Sequence, residues 1–289
     1  MRGEGKRSTK LIGEAVRILE AQHPMTLRQL FYRLVSLGMI PNDRKYYQLM
    51  SRLMTTARED GRCDFEYIAD RSRPEYKASV FNDAADYAEA VKRSYRKDYW
   101  STQSNHIEVW VEKDAIIGAI EPVTNELGVI IRVGRGFVST TKVHDIATHF
   151  RAIRKPITVL YLGDHDPSGQ NIESDLYERV LNHGSGDFAF KRLAILPADI
   201  GKFNLPPLRI KKSDTRAAKF AAKYGKDCVE LDALPPDELR RRLRSTIEGL
   251  IDMEQWNRAI SVEQAEFASI QATVAVWQNL ARVDEENLS

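Results

Sequence analysis

The amino-acid sequence predicts an α/β protein with more than one domain: a helical N-terminal domain, a mostly parallel sheet flanked by helices, and a C-terminal helical extension. Residues 8–100 show the apolar spacing of amphipathic helices, whereas residues 107–195 alternate short β-branched runs with helix-length segments. The two patterns meet at the polar stretch 101–105, which is typical of a boundary. We therefore expect one domain over residues 1–100 and a second over residues 101–289.

The N-terminal domain reads as a helix-turn-helix. Helices are predicted over residues 12–19, 27–37 and 44–59, with a helical connector over 75–100. Thr26 is a favourable N-cap for the second helix, and Gly38 a favourable C-terminal stop. Residues 64–68 predict a short strand that would serve as a wing. In such a winged helix the second helix of the pair lies in the DNA major groove.

The second domain reads as strands that alternate with helices. Strands are predicted over residues 107–111, 129–133, 157–163 and 190–196, and helices over 114–127, 140–154 and 168–181. Continuous β-branched runs indicate parallel strands buried on both faces. The carboxyl ends of such strands share one edge of the sheet, where ligand sites gather. Two later helices, 238–252 and 262–281, form the C-terminal extension.

The charge is unevenly distributed although the net charge is only +2. Residues 1–100 carry a net +5, residues 101–226 a net +4 and residues 227–289 a net −7. A basic front indicates a polyanion partner such as double-stranded DNA, although a solvated helical face has the same composition. The candidate DNA contacts are Arg33, Arg44, Lys45, Arg52, Arg58, Arg71 and Arg73.

Composition excludes several other classes of protein. The sequence has no apolar run long enough for a membrane span and no secretory signal, which predicts a cytoplasmic protein. Two distant cysteines, Cys63 and Cys228, argue against a disulfide scaffold or a cysteine zinc site. The sequence contains no glycine-rich phosphate-binding loop, and it therefore gives no indication of an ATP site.

Three carboxylates are expected at the carboxyl edge of the sheet. Glu112 follows the first strand, and Asp164 and Asp166 follow the third. Such hard oxygen ligands suit Mg²⁺, which can polarise a phosphoryl oxygen. The alternative is that Asp166 caps a helix that begins at Pro167. Capping does not explain the second aspartate or the glutamate on another strand, and the metal site is therefore the favoured interpretation.

A tyrosine and an arginine form a second candidate group. Arg28 and Tyr32 lie one helical turn apart on the flank of the apolar face of helix 27–37. A guanidinium beside a phenol is a plausible phosphate site, and the cation is expected to favour the phenolate, the nucleophilic form. Ordinary amphipathic packing also places tyrosine on a flank. Tyr46 and Tyr47 fit DNA contact or packing better.

Together these motifs resemble the A subunit of type IIB topoisomerases (topoisomerase VI) and the related meiotic double-strand-break transesterase. Residues 27–32, Leu-Arg-Gln-Leu-Phe-Tyr, resemble the family's nucleophile motif, with Tyr32 at the nucleophile position. Val-Glu-Lys-Asp-Ala at 111–115 and Asp-His-Asp-Pro-Ser-Gly at 164–169 look like the two metal motifs of its Toprim domain. Order and spacing agree over residues 10–200.

The resemblance implies a winged helix joined to a Toprim domain, and a dimer that straddles DNA. It implies that Tyr32 of one protomer faces Glu112, Asp164 and Asp166 of the other, that Arg28 steadies the phosphate, and that a 5′-phosphotyrosyl link forms with Mg²⁺. Few residues precede the Tyr32 helix, as in short orphan relatives often carried by mobile elements or phages. That shortness makes an ATPase B-type partner an open expectation.

Two alternatives remain open at this stage. Besides the transesterase, one alternative is a DNA-binding homologue without autonomous cleavage, and the other is a Toprim nuclease that hydrolyses DNA with a metal-bound water and does not use Tyr32. A nucleoid-associated location in the cytoplasm is expected for each. In all three cases, binding should weaken steeply with salt, because phosphate contacts release counterions.

Overall fold

The computed structural model describes residues 5–69, 80–134, 139–209 and 216–288. The α-helices in these ranges are α1 (Lys6–Gln22), α2 (Leu27–Ser36), α3 (Arg44–Glu59), α4 (Ala84–Ser94), α5 (Ile117–Glu126), α6 (Thr140–Ala152), α7 (Pro167–Asn182), α8 (Pro197–Lys202), α9 (Ala217–Tyr224), α10 (Pro236–Glu248) and α11 (Met253–Leu288). The strands are β1 (His106–Val111), β2 (Ile130–Val133), β3 (Ile157–Leu162), β4 (Ala189–Ala194), β5 (Leu208–Arg209) and β6 (Asp227–Cys228).

The chain divides into two compact units. Unit 1 comprises residues 1–73 and 106–249, and unit 2 comprises residues 74–105 and 250–289. Unit 1 therefore contains helices α1–α3 together with the main sheet. The domain boundary expected near residue 100 stays a prediction.

Four parallel strands form the main sheet, in the order β2-β1-β3-β4. This confirms the predicted α/β class and the parallel sheet. The central strands are buried because helices flank the sheet: Val109, Val159 and Leu160 are fully buried. Helices α6 and α7 pack on a cluster that includes Trp110 and Tyr161. With β1 and β3 adjacent, their carboxyl ends emerge side by side.

The N-terminal helices begin where the capping residues predict. The Thr26 hydroxyl accepts a hydrogen bond from Gln29 N, and the Gln29 side-chain oxygen accepts one from Thr26 N, which forms a reciprocal capping box. Asp43 caps α3 in a similar way. Gly38 has a φ of +69°, the left-handed conformation that glycine tolerates at a helix end.

The predicted wing strand over residues 64–68 is wrong. The Asp64 side chain accepts a hydrogen bond from Glu66 N and begins a 3-10 turn at Phe65–Tyr67. Extended pairing is limited to a single parallel bridge between Ile68 and Met25. A short side-chain cap thus directs the backbone into a turn where β-propensity suggested a strand.

Unit 2 is built from α4 and α11. Helix α11 begins nine residues before the predicted 262–281 helix, because Trp256 packs on Tyr99 and Trp100. Glu266 pairs with Lys97 at 2.9 Å, so part of the C-terminal acidic charge is neutralised inside this unit. Among the described helices, none has the length and apolar character needed to cross a membrane.

Candidate active site

Glu112 and Asp164 meet at the carboxyl edge of the sheet, as the sequence predicts. Glu112 N continues the ladder to Leu162 O at 3.0 Å, so that Glu112 stays beside the end of β3. Its carboxylate accepts a hydrogen bond from Asp164 N at 2.9 Å. Both side chains are nearly buried, at 9% exposure for Glu112 and 5% for Asp164.

Asp166 caps the N-terminus of α7, as the alternative interpretation of this residue predicts. Its carboxylate accepts a hydrogen bond from Gly169 N at 2.6 Å, and Pro167 opens α7. Gly169 is required here, because a Cβ at this position would lie 2.4 Å from Asp164 O and 3.2 Å from the Glu112 carboxylate. The missing side chain allows the start of α7 to approach the other two acids.

Burial raises the pKa values of Glu112 and Asp164. It raises the pKa of Glu112 to about 7, and the neighbouring Asp164 carboxylate adds to the shift. Burial also raises the pKa of Asp164, against the opposing effect of Lys113, whose ammonium lies 2.7 Å from an Asp164 oxygen. Lys113 thus pairs with Asp164, whereas the adjacent Glu112 carboxylate has no ion pair among the described residues.

The donor set fits Mg²⁺ in a water-rich shell. Glu112, Asp164 and Asp166 offer only hard oxygen atoms, and a buried carboxylate with a raised pKa gains from a nearby cation. Their ligand atoms do not all lie within 4.8 Å of one another; within the described part of the chain, the group that meets this distance is His106, Glu108 and His149. A Mg²⁺ ion that binds one or two carboxylates and keeps its waters suits the spacing.

Helix α2 presents Arg28 and Tyr32 next to each other. The Arg28 guanidinium carbon lies 5.9 Å from the centre of the Tyr32 ring. The same guanidinium holds Glu230 through two hydrogen bonds of 2.5 and 2.6 Å. Tyr32 is only 3% exposed, so it lies inside the protein rather than on the flank expected from helical spacing.

Arg28 favours the phenolate of Tyr32, as expected, but burial and Glu230 outweigh its effect on the pKa. Burial raises the pKa of Tyr32 well above its ordinary value, and the Glu230 carboxylate raises it further. Arg28 lowers it, but Glu230 already engages the guanidinium and weakens that effect. Tyr32 is therefore a neutral phenol in the structure described here.

The segment of residues 229–232 connects the two groups within one chain. Leu231 N donates to the Asp164 carboxylate at 2.8 Å, and Val229 forms paired backbone hydrogen bonds with His165. Asp232 accepts from the Thr26 hydroxyl at the start of α2, at 3.2 Å. The chain matches no protein-family model and no curated protein. What this site does is therefore inferred from its own residues.

Three residues of the site were not predicted from the sequence. Lys113 lies between Glu112 and Asp114, where its charge looks like ordinary surface composition. Glu230 and Asp232 lie some 200 residues from α2 and belong to no motif. Nothing in the local sequence marks these two acids, because only the fold brings them to Arg28 and Thr26.

His165 stands between the two aspartates and is fully buried. Its ring packs against Phe220 and Tyr224, and neither ring nitrogen has a hydrogen-bond partner among the described residues. Burial lowers its pKa. The sequence interpretation of His165 as a loop residue rather than a ligand stays a prediction.

The basic residues of α3 lie on its outer face. Arg44, Lys45 and Arg52 are exposed, whereas the opposite face buries Met50, Met54 and Ala57. Arg58 and Arg33 are half-buried: Arg58 lies over the Phe65 ring at 5.5 Å, and burial lowers the pKa of Arg33. Arg71 and Arg73 lie outside the described residues. The exposed cations of α3 are thus the ones available to a phosphate backbone.

Proposed function

We propose that this protein is a Mg²⁺-dependent DNA transesterase, similar to the A subunit of type IIB topoisomerases, with Tyr32 as its nucleophile. One observation carries the proposal. Glu112, Asp164 and Asp166 at the carboxyl ends of the strands are called the acidic edge. Residues 229–232 hydrogen-bond to this acidic edge on one side, and to Thr26 and Arg28 at the start of the Tyr32 helix on the other. A tyrosine, a guanidinium and a set of buried carboxylates thereby belong to one connected site.

The chemistry follows from these groups. The Tyr32 oxygen forms a bond to the phosphorus of a DNA phosphodiester, and the bond from phosphorus to the 3′ oxygen breaks. The phenol loses its proton to water or to a nearby carboxylate, and the departing 3′ oxygen gains one. The product is a 5′-phosphotyrosyl link and a 3′ hydroxyl, and the reverse reaction reseals the strand. Mg²⁺ held by one or two of the carboxylates Glu112, Asp164 and Asp166, with water as its other ligands, would supply positive charge to the phosphate oxygens.

DNA binding must rearrange the site before the reaction. Tyr32 is buried and Arg28 is occupied by Glu230, so the scissile phosphate has to replace Glu230 on the guanidinium. Arginine binds phosphate and carboxylate oxygens with the same fork of donors, which makes this exchange chemically natural. Arg44, Lys45 and Arg52 would lie along the duplex. We further propose a homodimer, a nucleoid-associated location, and the helix-turn-helix and Toprim domain identities.

Plasmid cleavage tests the proposal. Supercoiled DNA and Mg²⁺ are incubated with the protein, with and without ATP, and stopped with detergent before covalently bound protein is measured. We expect protein-linked breaks with the wild type and with Tyr46→Phe, a matched tyrosine control on α3. Tyr32→Phe and Asp166→Asn should give none. Linked breaks from Tyr32→Phe would overturn the assignment of the nucleophile.

A second candidate is a metal-dependent nuclease that does not use Tyr32. The burial and raised pKa of Tyr32 favour it, since the acidic edge stands complete without the phenol. In the same assay, breaks without linked protein that survive Tyr32→Phe would establish the nuclease. Salt-sensitive DNA binding without breaks would instead support a DNA-binding homologue that does not cleave, whereas binding that is insensitive to salt would contradict all three.

A further inference from the structure

A second cluster of metal-binding side chains lies at the opposite end of β1. His106 begins this strand and Glu108 follows two residues later, while His149 reaches them from α6. Glu112 lies six residues beyond His106, about 20 Å along an extended strand. The cluster is therefore separate from the acidic edge, and the proposed transesterase chemistry does not use it.

We propose that His106, Glu108 and His149 bind a zinc-class transition-metal ion. His106 Nε2 and His149 Nε2 lie 3.3 and 3.4 Å from the same oxygen, Glu108 Oε1. A tetrahedral ion with bonds of about 2.0–2.1 Å has ligand atoms about 3.3–3.4 Å apart. The two nitrogen–oxygen distances in this cluster thus already match the ligand–ligand distances of a tetrahedral site.

The third ligand–ligand distance, between the ring nitrogens of the two histidines, needs only a small adjustment. One ring nitrogen of each histidine lies within 4.8 Å of the other, and the His149 side chain is 41% exposed. Imidazole and carboxylate together suit zinc, nickel or cobalt better than magnesium. Three protein ligands leave the fourth position open to water.

Neighbouring groups hold the carboxylate in place. Glu108 is fully buried, and its other oxygen accepts hydrogen bonds from Trp110 Nε1 at 2.8 Å and Arg132 Nε at 2.6 Å. Partners of this kind fix the orientation of a ligating carboxylate. His149 Nε2 is buried yet has no hydrogen-bond partner among the described residues. An ion at this point would satisfy that atom.

Arg132 explains how the cluster is stable without an ion. Its guanidinium also donates to Glu108 Oε1 at 2.7 Å, so the buried carboxylate is neutralised. Arg132 also repels a cation, so the site should load reversibly.

Metal titration of the full chain tests this inference. Zinc binding is followed by calorimetry, and cobalt binding by its visible spectrum, which distinguishes tetrahedral from octahedral coordination. We expect one ion per chain with a tetrahedral cobalt spectrum, and a loss of at least about tenfold in affinity for His149→Gln and for His106→Gln. His144→Gln, a histidine on the same helix outside the cluster, is the matched control and should bind like the wild type.

Additional variants separate the site from folding and from the acidic edge. Each variant is also unfolded in urea, so that a loss of zinc affinity at unchanged stability identifies a lost ligand rather than a folding defect. Asp166→Asn should bind zinc normally. The inference is overturned if the wild type binds no zinc, if His149→Gln binds as well as His144→Gln, or if the cobalt spectrum is octahedral.

Discussion

Glu112 shows how a single buried carboxylate can require a cation. It lies under the sheet edge with the Asp164 backbone and carboxylate beside it, and Lys113 turns its ammonium toward Asp164 rather than toward Glu112. A charged Glu112 therefore lacks a hydrogen-bonded positive partner among the described residues. Protonation or a divalent ion are the two ways to compensate it.

The pKa of Glu112 predicts how stability depends on pH. The pKa is about 7 in the folded chain against 4.5 for an unperturbed glutamate, so the folded state holds this proton more tightly. The resulting stabilisation is complete below about pH 4.5 and is lost as pH rises through about 7. Relative to Glu112→Gln, the wild type should lose roughly 3 kcal/mol across that window without divalent ions.

Urea unfolding of both proteins at several pH values measures this difference. A repeat with excess Mg²⁺ should shrink the loss, because the ion replaces the proton as the compensating charge. Parallel pH curves for Glu112→Gln and the wild type would contradict the prediction.

Asp166 has an observed helix-capping role and a proposed metal-binding role, which different substitutions can separate. Asparagine caps helices about as well as aspartate, so Asp166→Asn should unfold like the wild type, whereas Asp166→Ala should lose about 1 kcal/mol. Both should bind Mg²⁺ more weakly if the charge serves the metal. Urea unfolding and Mg²⁺ calorimetry give the two readouts. Unchanged Mg²⁺ affinity in Asp166→Asn would show that Asp166 caps α7 but does not bind the metal.

At the scale of elements, the close approach of α7 to the strand ends builds the acidic edge. Gly169→Ala would place a methyl group 2.4 Å from Asp164 O, a backbone atom that cannot rotate away. We expect a loss of about 1–3 kcal/mol in urea unfolding. Gly201→Ala in α8, which meets nothing within 4 Å, is the control and should gain up to about 1 kcal/mol. Equal effects at the two positions would show that α7 has room to move.

These elements also show where sequence reasoning succeeds and where it fails. Strands β1 and β3 are predictable because most of their residues are apolar, and a parallel sheet brings Glu112 and Asp164 to one edge. The 64–68 strand failed because a single Asp64 cap outweighs β-propensity. The burial of Tyr32 was missed because residues 229–232, far away in sequence, pack against α2.

At the scale of the whole molecule, unit 1 brings the Tyr32 helix and the acidic edge into one body. Hydrogen bonds of Leu231 and Asp232 connect the acidic edge to the start of this helix. A loosely tethered DNA-binding domain would not make such bonds. The family resemblance implies that Tyr32 serves the acids of a partner protomer. The contacts within the chain instead favour a site formed by a single chain.

Mixed dimers distinguish these two arrangements. Tyr32→Phe and Asp166→Asn chains with different tags are co-expressed and purified through both tags, so that each dimer contains one of each. If a chain uses its own acids, one site lacks the nucleophile and the other lacks a metal ligand. We therefore expect no protein-linked DNA breaks. With the partner's acids, one site would be intact and the mixture would recover up to half of the wild-type cleavage, which would contradict the single-chain site while preserving Tyr32 as the nucleophile.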